Sequence, residues 1–133
     1  MGYRTIGRFV YDSSTVAAVD AGGSVPFPTA TATCNVTGDG TTVTITQAGV
    51  FEVGVNLTLV ATSTDTVEAQ LYRNGTAVPG AHAYATPAAS GDYVPLSFST
   101  VITIPRCNQA VLSVGCATAT SVTVSNLVIV KLA

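Results

Sequence analysis

The sequence predicts an all-β protein, an antiparallel sandwich or barrel. Two features carry this prediction: short stretches in which apolar and polar residues alternate, and turns containing glycine or proline between them. Thr, Val and Ser dominate these stretches, and such residues favour the pleated surface of a strand over a helix. No stretch shows an apolar stripe with helical spacing.

Alternation is clearest in the middle of the chain. In VFEVGVNLTLVA every second residue is apolar, so one face of the predicted strand is Phe51, Val53, Val55, Leu57 and Leu59. Further strands are predicted in TTVTITQ, TVEAQLY, PLSFSTVITI, AVLSVGC and SVTVSNLVIVKL. Asn74 and Gly75 in RNGT predict a tight hairpin, because both residues tolerate a positive φ.

The last predicted strand breaks the alternation. In SNLVIVKLA four apolar residues follow one another, from Leu127 to Val130, so both faces of the strand are apolar. A strand with one face in water would alternate. The stretch therefore predicts that a second surface covers the face opposite the core.

Composition points in the same direction. The 133 residues suffice for one domain with a sizeable core, and hydrophobic residues make up 47% of them. Charged residues make up only 9%, which is too few to coat a monomer and favours an oligomer that hides part of the surface. The formal net charge is −2 with five Lys and Arg, which argues against nucleic-acid binding.

The chain is expected to divide into an N-terminal arm or edge strand over residues 1–15 and the main domain over residues 16–133. GAHAYATPAASGDYVP (residues 80–95) is expected to be a surface loop, since its residues are small and its pattern is irregular. No apolar run reaches the ~20 residues of a membrane-spanning helix, so no membrane partner is expected. No signal peptide is visible, and the expected location is a virion or an extracellular surface reached without one.

Several motifs in order resemble one family. TITQAGVFEVGVNLTL is similar to the signature of the tumour-necrosis-factor and complement-head jelly roll, in which a Gly and an aromatic residue open a long strand. VEAQLYRNGTAVPG resembles the strand, Asn-Gly turn and strand that follow. LSFSTVITIPRCNQAVLSVG resembles the next hairpin, with Arg106, Cys107 and Asn108 in place of the usual Gly-Asp turn. VSNLVIVKLA resembles the last strand, and the likeness covers residues 20–133.

The resemblance implies a two-sheet antiparallel jelly-roll sandwich that assembles as a tight homotrimer, with the last strand near the threefold axis. The motifs further resemble the C-terminal domains of bacterial collagen-like spore-surface glycoproteins and similar domains of phage or prophage structural proteins. The candidate trimer interface is Leu127, Val128, Ile129, Val130 and Leu132.

Three functions are compatible with these residues. The first is a structural and adhesive head of a trimeric surface appendage, such as a phage fibre or capsid decoration, that presents loops to a host-surface carbohydrate or protein. The second is a trimerisation and stability module without any ligand. In both, the N-terminal arm would dock onto a particle or a fibrous stalk. The third, a small hydrolase, would require a polar constellation around the single histidine, His82.

The candidate ligand-binding residues share the predicted loop: His82, Tyr84, Asp92 and Tyr93. Aromatic and amphiphilic side chains of this kind bind sugars in shallow sites. The alternative is that the loop only covers one end of the sandwich.

Catalytic, metal and cofactor sites are not expected. Cys34, Cys107 and Cys116 fit no zinc or redox motif and are interpreted as small buried hydrophobic residues, although Cys107 and Cys116 could meet across neighbouring strands. Asp39 in TGDGT is interpreted as a residue that caps its own turn. No acidic cluster has the spacing of a calcium loop, and only a metal site on the threefold axis stays open.

Overall fold

The computed structural model describes residues 6–133, which form ten strands and no helix. The strands are β1 Ile6–Val19, β2 Thr29–Cys34, β3 Val36–Gly38, β4 Val43–Ile45, β5 Gly49–Ala61, β6 Val67–Arg73, β7 Thr76–Ala85, β8 Tyr93–Ile104, β9 Ala110–Cys116 and β10 Thr120–Lys131. Within this part of the chain, no helix has the length and apolar character needed to cross a membrane.

The strands form two five-stranded antiparallel sheets. Sheet I has the order β2-β1-β10-β5-β8, and sheet II has the order β3-β4-β9-β6-β7. Consecutive strands often lie in different sheets, as β4 and β5 do, so the chain crosses repeatedly between the layers. The predicted all-β, two-sheet antiparallel jelly roll is confirmed.

The core lies between the two sheets and consists of the residues on their facing sides. In β5 the residues predicted to share one face are all at most 3% exposed, while their neighbours in sequence are half-buried or exposed. The largest fully buried side chains are Phe51, Ile45, Leu59, Leu71, Ile104, Leu112, Leu127 and Ile129. The alternation therefore predicted the core correctly.

The hairpin predicted at Asn74 and Gly75 is confirmed. Their φ values are 51° and 82°, as a tight turn with two left-handed residues requires. The Asn74 side chain also accepts a hydrogen bond from the Val111 amide at 2.9 Å, which ties the turn to β9.

The N-terminal strand corrects the expected boundary at residue 15. β1 runs through that boundary and pairs with β2 on one side and β10 on the other. Residues 6–12 therefore belong to an internal strand of sheet I, and the pairing with β10 shifts register between Asp12 and Ala17. Residues 1–5 of the expected arm lie outside the described residues.

The stretch 80–95 also differs from the expected surface loop. β7 continues to Ala85 and β8 begins at Tyr93, so only residues 86–92 connect the strands. β7 is an edge strand with a register shift against β6. At this shift the side-chain Nε2 atom of Gln70 donates to the backbone carbonyls of Val78 and Ala81 at 2.8 and 3.1 Å. This irregularity hides the strand pattern in the sequence.

The three cysteines do not behave alike. Cys116 is buried, as predicted, and burial raises the pKa of its thiol to about 11. Cys34 and Cys107 are exposed, so the prediction that they are buried is wrong. Cys107 occupies the turn after β8 with a φ of 63°, and no disulfide joins it to Cys116.

Candidate functional site

The final strand lies in the middle of sheet I and has two different apolar faces. Leu127 and Ile129 are 1% and 0% exposed and pack in the core of their own chain. Val128 is half-buried and Val130 is 38% exposed on the opposite face, while Leu132 lies beyond the strand and is 54% exposed. Of the five candidate interface residues, only Val128, Val130 and Leu132 are therefore accessible to another chain.

A row of side chains crosses four strands at Val130. Val130 pairs with Ile6 of β1 and Glu52 of β5, and Glu52 pairs with Val101 of β8. Directly paired residues of antiparallel strands lie on the same face. Ile6, Val130 and Val101 are 42%, 38% and 54% exposed, so three large apolar side chains and one carboxylate share this row.

The next two rows continue the same surface. Val128 lies between Arg8 and Gly54, and a Cβ atom added to Gly54 would meet no other atom within 4 Å. Asn126 lies between Val10 and Asn56, and its buried Oδ1 atom has no hydrogen-bond partner among residues 6–133.

These rows belong to one surface, which we call the outer face of sheet I. It comprises Ile6, Arg8, Val10, Asp12, Glu52, Gly54, Asn56, Thr58, Ser97, Ser99, Val101, Val124, Asn126, Val128 and Val130. Among the residues that the structure describes, its charged members are Arg8, Asp12 and Glu52. The sequence pattern indicated that such a face exists, but β1 and β8 were not expected to contribute to it.

The candidate ligand residues fall into two groups. His82 and Tyr84 alternate along β7, and their rings are stacked with centroids 6.2 Å apart and planes at 13°. Both side chains are exposed, Tyr84 to 65%. Tyr93 is also exposed, at 71%, but it begins β8 in the other sheet. The structure therefore brings two of the four candidates together.

Asp92 is engaged in its own turn. Its Oδ2 atom accepts a hydrogen bond from the Ala89 amide at 3.0 Å, and its carbonyl accepts one from the Ala61 amide at 2.9 Å. A carboxylate used in this way holds the connection between β7 and β8 in shape. These two hydrogen bonds fix Asp92 within the connection, and its assignment as a ligand residue stays a prediction.

Two polar residues beside the aromatic pair were not among the predicted site residues. Gln70 and Glu68 of β6 pair directly with His82 and Tyr84 and are half-buried. The alternation in TVEAQLY placed them on the polar face of their strand. Their proximity to the two rings depends on the pairing with β7, which the sequence did not predict.

A cavity of about 300 Å³ opens between the free edges of the sheets. Its lining includes Arg73 and Thr76 at the β6–β7 hairpin, Val78 and Pro79 of β7, and Val101 and Thr103 of β8. Arg73 reaches from sheet II to sheet I, where its Nη2 atom donates to the Thr103 carbonyl at 2.7 Å. Sequence reasoning missed this site, because it depends on two strands from different sheets.

Residues 6–133 contain no group of three His, Cys, Asp or Glu side chains arranged to hold a metal ion. Asp39 caps the turn between β3 and β4, as its sequence predicts. Its Oδ1 atom accepts hydrogen bonds from the backbone amides of Thr42 and Thr41 at 2.8 and 3.2 Å. These bonds lower the pKa of the carboxyl, and the bond from Thr42 has the largest effect.

Comparisons with known proteins identify the fold through structure alone. No protein-family model matches the chain, and no curated protein matches it. Among solved structures, murine APRIL at pH 5.0 superposes with a TM-score of 0.72 at 13% identity, over 97% of this chain and 99% of that one. The chain has a TNF-like jelly-roll fold.

Two further structures agree with this assignment. Eiger TNF from S. frugiperda gives a TM-score of 0.74 at 14% identity, covering 99% of this chain and 94% of that one. The globular domain of zebrafish complement 1qA protein gives 0.68 at 8% identity, covering 98% of each chain. At these identities the likeness is one of fold.

Proposed function

We propose that this TNF-like jelly roll is a non-enzymatic structural and adhesive head that assembles as a homotrimer. The observation that carries the proposal is the outer face of sheet I. Four large apolar side chains lie on it at 37–54% exposure: Ile6, Val101, Val124 and Val130. Exposed apolar side chains grouped on one sheet face mark an interface, since burial contributes about 25 cal/mol per Å² of apolar area.

The glycine on this face supports the same conclusion. A glycine within a strand weakens it, and often marks a place where another backbone approaches closely. The space above Gly54 is empty within its own chain. A neighbouring subunit packed on the outer face of sheet I would use that space.

The position of the last strand supports a threefold arrangement. The family resemblance implies that this strand lies near the threefold axis, and β10 is the central strand of sheet I. Val128 and Val130 would then face other subunits, while Leu127 and Ile129 complete each subunit's own core.

The setting we propose is a surface appendage: a phage fibre, a capsid decoration or a spore-surface-like layer. The support is the likeness of the sequence motifs to such domains, together with the small number of charged residues. In this setting the protein is part of a virion or an extracellular surface.

The aromatic pair on β7 is the candidate attachment site. Stacked rings present apolar faces to the C–H groups of a sugar, and the neighbouring Glu68 and Gln70 carry groups that bind hydroxyls. We therefore propose a host-surface carbohydrate as the ligand of His82 and Tyr84. If there is no ligand, the domain serves as a trimerisation and stability module.

Binding to a glycan array and to host envelopes tests this site. The wild-type protein should bind a subset of glycans, and His82→Ala with Tyr84→Ala should abolish that binding without changing the subunit mass. Tyr93→Ala is the matched control, because it removes an equally exposed tyrosine outside the pair. Absence of wild-type binding across both screens would favour the assembly module.

A further inference from the structure

A closed ring of identical chains needs two different complementary surfaces on each chain, one for each neighbour. The outer face of sheet I supplies one surface. The second has to lie elsewhere on the molecule and match the first in shape and charge. The inference below rests on the proposed trimer.

Glu52 sets the charge that the second surface has to match. It is exposed on the outer face of sheet I, directly between Val130 and Val101. A carboxylate that loses water in an apolar interface needs a cation as partner, because an unpaired buried charge is strongly unfavourable. Among residues 6–133, the cation that this face carries is Arg8, which instead donates toward Thr31 of β2 at 3.4 Å, on the far side from β5.

Arg73 is a cation that needs an anionic partner. It is half-buried in the cavity between the free edges of β7 and β8, beside Val78 and Pro79. A guanidinium carries five N–H donors, and the structure records one bond for it, to the Thr103 carbonyl. No carboxylate of residues 6–133 forms an ion pair with Arg73.

Glu52 and Arg73 form no ion pair with each other within residues 6–133. Glu52 projects from β5 on the outer face, whereas Arg73 approaches the free edge of β8 from sheet II. β8 lies between them. A neighbouring subunit whose outer face packs against the β7–β8 edge would instead bring its own carboxylate to the cavity.

We propose that Arg73 of each subunit binds Glu52 of the next subunit, so that the cavity between β7 and β8 is completed only in the trimer. Arginine suits this role because its planar donors bind a carboxylate through two parallel hydrogen bonds. The pair neutralises the carboxylate in the apolar row and orients each chain toward its neighbour.

A charge-swap experiment tests the pair. Arg73→Glu and Glu52→Arg should each raise the subunit dissociation constant about 30-fold or more, as expected when one partner of a desolvated ion pair is lost. The double variant Arg73→Glu/Glu52→Arg should recover most of the wild-type affinity. The readout is the mass as a function of concentration, by light scattering after size exclusion.

Two matched controls separate this effect from a general change in charge. Arg106→Glu reverses an exposed arginine in the turn after β8, and Asp65→Arg reverses an exposed carboxylate in the turn between β5 and β6. Neither should change the dissociation constant. Circular dichroism checks that each variant folds. If a charge-reversal variant does not fold, the neutral variant Arg73→Gln or Glu52→Gln replaces it.

Three results would overturn the proposal while leaving the trimer intact: single reversals with wild-type affinity, a double variant no better than either single one, or binding of glucuronate to the wild-type trimer that Arg73→Gln abolishes. The last would show that the cavity is open to a free acidic ligand in the assembly. A monomeric wild-type protein would contradict the trimer itself.

Discussion

At the scale of single residues, Gly49 shows why a glycine opens the long strand β5. Its φ is 147°, and a Cβ atom added there would lie 2.6 Å from the carbonyl oxygen of Ala133. The Val50 amide donates to that same carbonyl at 3.0 Å, and the Leu132 amide donates to the Val50 carbonyl at 2.7 Å. The glycine therefore lets the final residues lie against the start of β5.

Gly49→Ala should lower the free energy of unfolding by about 1–3 kcal/mol, because it combines an unfavourable φ with a backbone clash. Gly91→Ala is the control: its φ of 93° is also left-handed, but a Cβ atom there would meet nothing within 4 Å. Urea unfolding of both variants is the measurement. A loss at Gly91 as large as that at Gly49 would show that the approach of Ala133 is unimportant.

Asp39 predicts a pH-dependent contribution to stability. Its carboxylate accepts two backbone hydrogen bonds, which lower its pKa in the folded state. A group with a depressed folded pKa stabilises the protein above its unfolded pKa, about 3.9, and loses that contribution as the pH falls through the lower folded pKa.

Asp39→Ala should therefore melt at a lower temperature than the wild type at pH 7, and the difference should shrink toward about pH 2. Thermal unfolding followed by circular dichroism at both pH values is the measurement. Asp65→Ala, at another turn, serves as the reference for removing an exposed carboxylate. A difference that stays constant down to pH 2 would contradict the capping role.

At the scale of elements, β10 shows what the sequence could and could not predict. Four consecutive apolar residues predicted correctly that both faces of the strand are apolar. They did not indicate which residues face the core, because that depends on the pairing with β1 and β5. The register places Leu127 and Ile129 inside and Val128 and Val130 outside.

Substitutions on the two faces of β10 should have different effects. Ile129→Ala should lower the free energy of unfolding by about 2–5 kcal/mol, because it leaves a cavity in the core. Val130→Lys should fold, because the side chain is already 38% exposed, but it should reduce the subunit association. Unfolding curves and solution mass measure the two effects. A Val130→Lys variant with unchanged association would place the interface elsewhere.

The edge strand β7 is the element that the sequence patterns failed to predict in full. Its first half is interrupted by Pro79 and Gly80, and Gly80 has a φ of 78°. Small residues and a register shift replace the alternation that revealed β5, so the stretch resembled a loop. The stacked pair of His82 and Tyr84 was therefore assigned to the wrong kind of element, although both were selected as candidates.

At the scale of the whole molecule, the low content of charged residues accompanies apolar side chains both in the core and on the outer face of sheet I. The two sheets bury one apolar layer between them, and the outer face of sheet I carries further exposed apolar side chains, among them Ile6, Val101 and Val130. The composition predicted that apolar side chains would also lie on the surface, since only 9% of the residues are charged. The meeting of Arg73 with the edge of β8 was not predictable, because it depends on how the two sheets pack.

The role of the outer face of sheet I as a subunit interface is tested most directly by the mass of the protein in solution. Light scattering after size exclusion at low micromolar concentration should give a single species near three times the chain mass of 13.4 kDa. Gly54→Arg should fold and run as a monomer, because the space above Gly54 is empty in its own chain. A wild-type protein with the mass of one chain would contradict the account.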